Sequence, residues 1–172
     1  NVRLTKEIVK AAHAMGVSVE GELGTIGGVE DDLEVDEADA ALAKPEEAIR
    51  FYEETGVDCL AIAVGTAHGM YKGEPKIHFN IIEEVTSQIP VPIVLHGGSG
   101  VPDDMVRKAI ELGVGKINVN TENQVACTAA VRETLNKDEN VIDPRKYLGP
   151  GREAMVEVVR SKIRLFGSNN QA

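Results

Sequence analysis

Two histidines of this sequence are each followed directly by glycine at the end of an apolar run. They lie in Gly65-Thr66-Ala67-His68-Gly69 and in His96-Gly97-Gly98-Ser99-Gly100. A glycine at that place lets backbone approach a ligand while the imidazole projects from the strand end. Two imidazoles in equivalent positions can share a metal ion. They are too few for a tight site, because catalytic zinc usually takes three protein ligands and an open position. The Gly97-Gly98-Ser99-Gly100 turn leads to a helix and offers backbone N–H groups to an anion, and Asn118-Val119-Asn120-Thr121 repeats the opportunity one strand later. Glu20, Glu22 and Glu30 are carboxylates suited to proton transfer, Glu30 because it would ride on a glycine-rich loop able to close over a site. His13 and His78 lack glycine partners and are expected at the surface or in packing.

The elements that must position these groups alternate along the chain. Helices are expected over residues 5–15, 46–54, 79–88, 102–112 and 122–135, and after breaks at Pro144 and Pro150 over residues 152–166. Strands are expected over residues 17–23, 58–64, 93–95 and 116–119. Residues 24–40, glycine-rich and then acidic, predict a mobile loop. Apolar strands alternating with helices imply a parallel sheet covered on both faces, and polar residues at the C-terminal end of four strands favour a barrel over an open sheet. A TIM (β/α)8 barrel needs eight strands, so the chain is expected to supply its last four βα units and a C-terminal helical extension over about residues 144–167, all within one domain.

Composition narrows the partners. Twenty-eight acidic against 18 basic residues give a net charge of −10, which repels nucleic acid and anionic membrane surfaces. Charged residues at 27% and hydrophobic residues at 42% are ordinary for a soluble globular protein. Cys59 and Cys127 have no metal-type spacing and are expected as reduced core residues. Without an apolar run long enough for a membrane span, the expected location is the cytoplasm.

The ordered motifs Val19-Glu20-Gly21-Glu22-Leu23-Gly24-Thr25-Ile26-Gly27-Gly28, Gly65 to Gly69, Leu95 to Gly100, and Lys116-Ile117-Asn118-Val119-Asn120-Thr121-Glu122 resemble those of class II fructose-1,6-bisphosphate aldolases. The segments Asp143 to Pro150 and Phe166 to Ala172 resemble bacterial members. The likeness covers all 172 residues and the second half of the family's chain. It implies a Zn2+ or another divalent transition ion held by His68, His96 and an earlier histidine outside these residues, with Glu22 near the metal; a monovalent cation is a second cofactor left open by the sequence. Gly69, Gly97, Ser99, Asn118, Asn120 and Thr121 match positions around the phosphate and dihydroxyacetone part of the substrate. Glu30 matches the loop glutamate that moves the proton, and Arg145 an arginine reaching the far phosphate, often of a neighbouring subunit. The resemblance further implies a homodimer or homotetramer, a missing N-terminal half holding the third histidine and a catalytic aspartate, and weak metal binding without that half. The implied reaction is cleavage and formation of fructose 1,6-bisphosphate. Alternatives are a related aldolase acting on tagatose 1,6-bisphosphate or a phosphorylated keto-deoxy sugar acid, and a non-catalytic phosphosugar-binding module.

Overall fold

The computed structural model describes residues 1–30, 33–35, 41–69, 71, 73 and 75–171, with backbone alone for residues 28–30 and 33–35. Seven strands and six helices follow in the order α1 (Val2–Ala14), β1 (Glu20–Leu23), β2 (Gly27–Glu30), β3 (Leu33–Val35), α2 (Pro45–Thr55), β4 (Cys59–Ile62), β5 (Ala67–His68), α3 (Phe79–Thr86), β6 (Ile93–Leu95), α4 (Asp103–Glu111), β7 (Val114–Ile117), α5 (Thr121–Lys137) and α6 (Pro144–Leu165). They fall into two compact units, Asn1–Asn118 and Val119–Ala172.

The first unit is built on a parallel sheet in the order β1-β4-β6-β7. Leu60, Ile62, Val64, Ile93 and Leu95 are essentially inaccessible, as are Phe51 of α2, Ile82 and Val85 of α3 and Val106 of α4. Each such side chain stabilises the fold by about 1.5–3 kcal/mol over its exposed state. The strands are short, apolar and rich in β-branched residues, which suits a sheet buried on both faces. Helix α2 shows how the chain sets its own boundaries: Pro45 opens it with a preset φ, and Gly56, at φ 69°, closes it by donating to the Tyr52 carbonyl. Gly21 admits Phe51, since a Cβ there would come within 2.6 Å of that ring.

Register decides what faces the other side. Glu20 pairs with Cys59, Glu22 with Ala61, Ala61 with Val94, and Val94 with Lys116. Paired residues of a parallel sheet point the same way, so a glutamate, a cysteine and a lysine share the face opposite the helices, with His96 two residues beyond Val94.

Several boundaries differ from expectation. Residues 17–19 lie outside β1, with the Val17 N–H bonded back to Ala12, and β7 begins at Val114 and ends at Ile117. Part of the expected loop over 24–40 is extended: β2 pairs antiparallel with β3 and parallel with β5. The glycines and acidic residues of this stretch pointed to loop, while Val29, Leu33 and Val35 favour strand. Residues 31, 32 and 36–40 of that expectation lie outside the described residues. Neither cysteine is a core residue in the strict sense; both are free and half-buried, Cys59 beside the Glu20 carboxylate and Cys127 in the second unit. His13 sits at the surface as expected and bonds Asp58, whose carboxylate also accepts from the Val19 N–H.

In the second unit α5 and α6 pack on one another. Helix α6 starts at Pro144 and runs through Pro150, where two breaks were expected. Pro144 occupies a first-turn position that needs no N–H, with the Asp143 carboxylate accepting from Arg145 N–H as the cap. Pro150 follows Gly149, which lacks the Cβ that a proline ring usually clashes with. Gly151 lies against Cys127 and Val131, its absent Cβ leaving room for close helix contact. The proline still deletes one interior helix bond, so Pro150→Ala should raise the stability of this unit by about 1 kcal/mol after allowing for lost proline rigidity. Urea unfolding of the two proteins side by side checks this, and an unchanged midpoint would contradict it.

Candidate active site

β4 and β6 are neighbours; His96 directly follows β6, and His68 ends β5, six residues past the end of β4. Their ring centroids are 5.8 Å apart with planes inclined by 35°. His96 is nearly buried, and its Nε2 lies 2.9 Å from Glu20 Oε1. Because the carboxylate accepts, Nε2 donates in this bond, which leaves Nδ1 as the nitrogen available to a metal. That Nδ1 is buried and has no hydrogen-bond partner among the described residues. A buried, unpaired nitrogen is costly unless something else fills it, and a metal ion is the ligand imidazole takes most readily.

Glu20 holds His96 in this orientation and is itself held. Its second oxygen lies 2.9 Å from Lys116 Nζ and receives the Cys59 thiol at 3.7 Å. Partial burial pushes the Glu20 carboxyl up, but the bonds from Lys116 and His96 outweigh this and keep it below its ordinary value. Burial, with the adjacent Glu20 charge, raises the Cys59 thiol, so it stays protonated and unreactive. Lys116 reaches on to Asn118 Oδ1 at 2.7 Å, which joins strand β7 to the same network.

The loops are set by backbone contacts. Gly97 has φ 64°, and Gly98 N–H donates to Asn118 C=O at 3.0 Å. One of the N–H groups expected to face an anion is therefore engaged within the sheet. Gly97, Gly98 and Ser99 are buried and only Gly100 of this turn is exposed. Asp103 and Asp104 occupy the first turn of α4, so an anion at this turn would meet loop backbone rather than a free helix end. Tyr71 Oη accepts from Ala67 N–H at 2.9 Å and donates to Gly97 C=O at 2.8 Å.

The other expected residues are placed as follows. Gly69, at φ 97°, directly follows His68. Glu22 is exposed on the face it shares with Glu20, and among the described residues no group of three or more His, Cys, Asp or Glu side chains is gathered to hold a metal. Glu30 ends β2, two residues past the Gly28–His68 pairing, which puts its backbone roughly 7 Å further along the strand. Asn120 precedes α5 and is exposed, Thr121 begins α5 and is half-buried, and Arg145 in the first turn of α6 makes a two-pronged ion pair with Asp143. Asn120, Thr121 and Arg145 all belong to the second unit. The residues that motif reading missed are Tyr71 and Lys116. Strand alternation from Glu22 and from Asn118 places Glu20 and Lys116 on the rim face, whereas nothing local marks Tyr71.

A parallel α/β sheet with two imidazoles carried on the segments that follow the C-terminal ends of adjacent strands β4 and β6 defines a barrel-type enzyme half with its chemistry on one rim. The sequence profile of class-II fructose-bisphosphate aldolase matches residues 1–171, and the chain belongs to that family, which is metal-dependent. It is 54% identical over its whole length to a fructose-bisphosphate aldolase of Staphylococcus epidermidis, and equally to one of Geobacillus stearothermophilus. It spans 59% of the length of each of these relatives. The crystal structure of the YdjI aldolase from Escherichia coli K12 superposes with a TM-score of 0.81 at 38% identity, covering 100% of this chain and 58% of that one. The fold is thus the C-terminal part of a TIM barrel, as the alternation of elements implied. No helix among the described residues is long and apolar enough to cross a membrane.

Proposed function

We propose that these residues form the C-terminal half of the single barrel domain of an enzyme that cleaves fructose 1,6-bisphosphate to dihydroxyacetone phosphate and glyceraldehyde 3-phosphate, and runs the reverse condensation. The observation that carries this reading is the His68–His96 pair, with a buried His96 Nδ1 that has no hydrogen-bond partner among the described residues. Both residues fit a Zn2+ or another divalent transition ion, with Glu22, on the face it shares with Glu20, near the metal as the family likeness implies and a remaining ligand supplied from beyond these residues. When bound, the ion supplies Lewis acidity toward the substrate ketone.

The chain's own groups do the rest. Gly69, Gly97, Ser99, Asn118, Asn120 and Thr121 bind and orient the phosphate and hydroxyls of the dihydroxyacetone part, with a monovalent cation beside the phosphate. Arg145 contacts the far phosphate, across a homodimer or homotetramer contact. In cleavage the C4 hydroxyl gives its proton to the catalytic aspartate of the missing half as the C3–C4 bond breaks, and Glu30 delivers a proton to C3 of the dihydroxyacetone half. Closure of the segment bearing Glu30 excludes water while that happens. The setting is the cytoplasm.

The test is fructose 1,6-bisphosphate cleavage by the natural gene product, followed through triose phosphate release. Chelation by EDTA should abolish it and added Zn2+ should restore it, and His96→Ala should be inactive in either condition. Robust cleavage that survives EDTA would overturn the reading. Faster turnover of tagatose 1,6-bisphosphate would reassign the substrate and leave the site intact.

A further inference from the structure

The loops carrying the two imidazoles meet backbone against backbone. A Cβ at Gly97 would fall 2.4 Å from Ala67 O and 2.8 Å from its carbonyl carbon, so the two chains are as close as glycine allows. One hydroxyl spans this junction. Tyr71 Oη receives the Ala67 N–H at 2.9 Å and gives its proton to the Gly97 carbonyl at 2.8 Å. Ala67 is the residue before His68 and Gly97 the residue after His96. The tie therefore acts on the position adjacent to each imidazole. Burial raises the phenol, which keeps it a donor throughout the neutral range.

We propose that Tyr71 is a positioning residue that fixes the separation of His68 and His96 for a shared divalent ion by bridging Ala67 N–H and Gly97 C=O. This rests on the reading that the two histidines hold that ion. The geometric demand is tight: two nitrogens each about 2.1 Å from one tetrahedral ion must lie about 3.4 Å from each other. Loop backbone left to itself drifts by more than such a site tolerates, and van der Waals contact at Gly97 limits only approach. Tyr71 limits separation as well. Phenylalanine keeps the ring, including its approach to Gly100, and removes only the bridging oxygen.

The experiment compares Tyr71→Phe with the unaltered natural gene product and with Ile82→Val, a core variant in α3 that changes stability away from the loops. Zinc affinity is read by competition with a chromophoric chelator, and ligand geometry by the visible d–d bands of the Co2+-substituted protein. Tyr71→Phe should bind zinc about tenfold more weakly, the scale typical of lost outer support at metal sites. Its cobalt bands should shift and its kcat should fall by more than its KM changes. Ile82→Val should lower the unfolding midpoint while leaving the cobalt spectrum unmoved. Unaltered zinc affinity and cobalt bands in Tyr71→Phe would overturn the brace, whatever its stability. Zinc binding by the unaltered protein that His96→Ala leaves unchanged would instead overturn the shared-ion reading beneath it.

Discussion

On the proposed function, Gly97→Ala in the natural gene product should lower aldol cleavage by about 100-fold or more, the scale set by misplacing a catalytic group by about 1 Å. The residue stands at φ 64°, a conformation that costs a side-chain-bearing residue about 1 kcal/mol or more before any contact is counted. The added Cβ then meets Ala67 O at 2.4 Å, its carbonyl carbon at 2.8 Å and its nitrogen at 3.1 Å. These are backbone atoms of a strand paired to β2, and they cannot swing away as a side chain tip would. Relief must come from opening the loops, which separates His68 from His96 and breaks the Tyr71 bridge. Gly69→Ala supplies the contrast. Gly69 also has a positive φ, at 97°, yet a Cβ there meets nothing among the described residues within 4 Å. It should show backbone strain without loop opening, and so retain zinc affinity far better. Parallel titrations of the two variants decide the matter, and equal losses would refute the argument from contact.

Most of the fold was legible because the parallel sheet writes itself in short apolar runs. Residues 60–64 and 93–95 have no polar member, and burial on both faces is the physical reason. The histidines were legible because a glycine after a strand end is a backbone requirement visible in one dimension. Pro150 misled because the rule that proline ends a helix assumes a Cβ on the preceding residue and no neighbouring helix to hold the chain. Here Gly149 removes the first condition and the packing of α5 on α6 the second. The β2–β3 pairing was hidden by its glycine-rich and acidic composition, since pairing uses backbone while such residues read as loop. Tyr71 was hidden for a different reason. Its partners are two backbone groups, one 26 residues away, and no spacing rule encodes a side chain that bonds main chain at long range.

Glu20 gives the second large effect. Its carboxylate accepts from His96 and from Lys116, and removing it frees the His96 ring to turn and leaves Lys116 with Asn118 as its remaining partner among the described contacts. A carboxylate behind a metal-binding imidazole fixes the tautomer and strengthens the opposite nitrogen as a donor to metal, and its loss typically costs 10–100-fold in affinity. Glu20→Ala should therefore weaken zinc binding by about that factor, with activity recoverable at high zinc. Glu20→Gln should fall between, because an amide oxygen still accepts from Nε2 while lacking the charge that draws the proton there. Glu22 differs in kind: it shares the face but is not gathered with the two histidines in the described structure. If Glu22→Gln weakened zinc binding more than Glu20→Ala does, the carboxylate nearest the ion would be Glu22 and the support assigned to Glu20 would be secondary. The opposite order would mean that this rim organises its metal through the orientation of His96, with Lys116 and β7 holding the carboxylate that sets it.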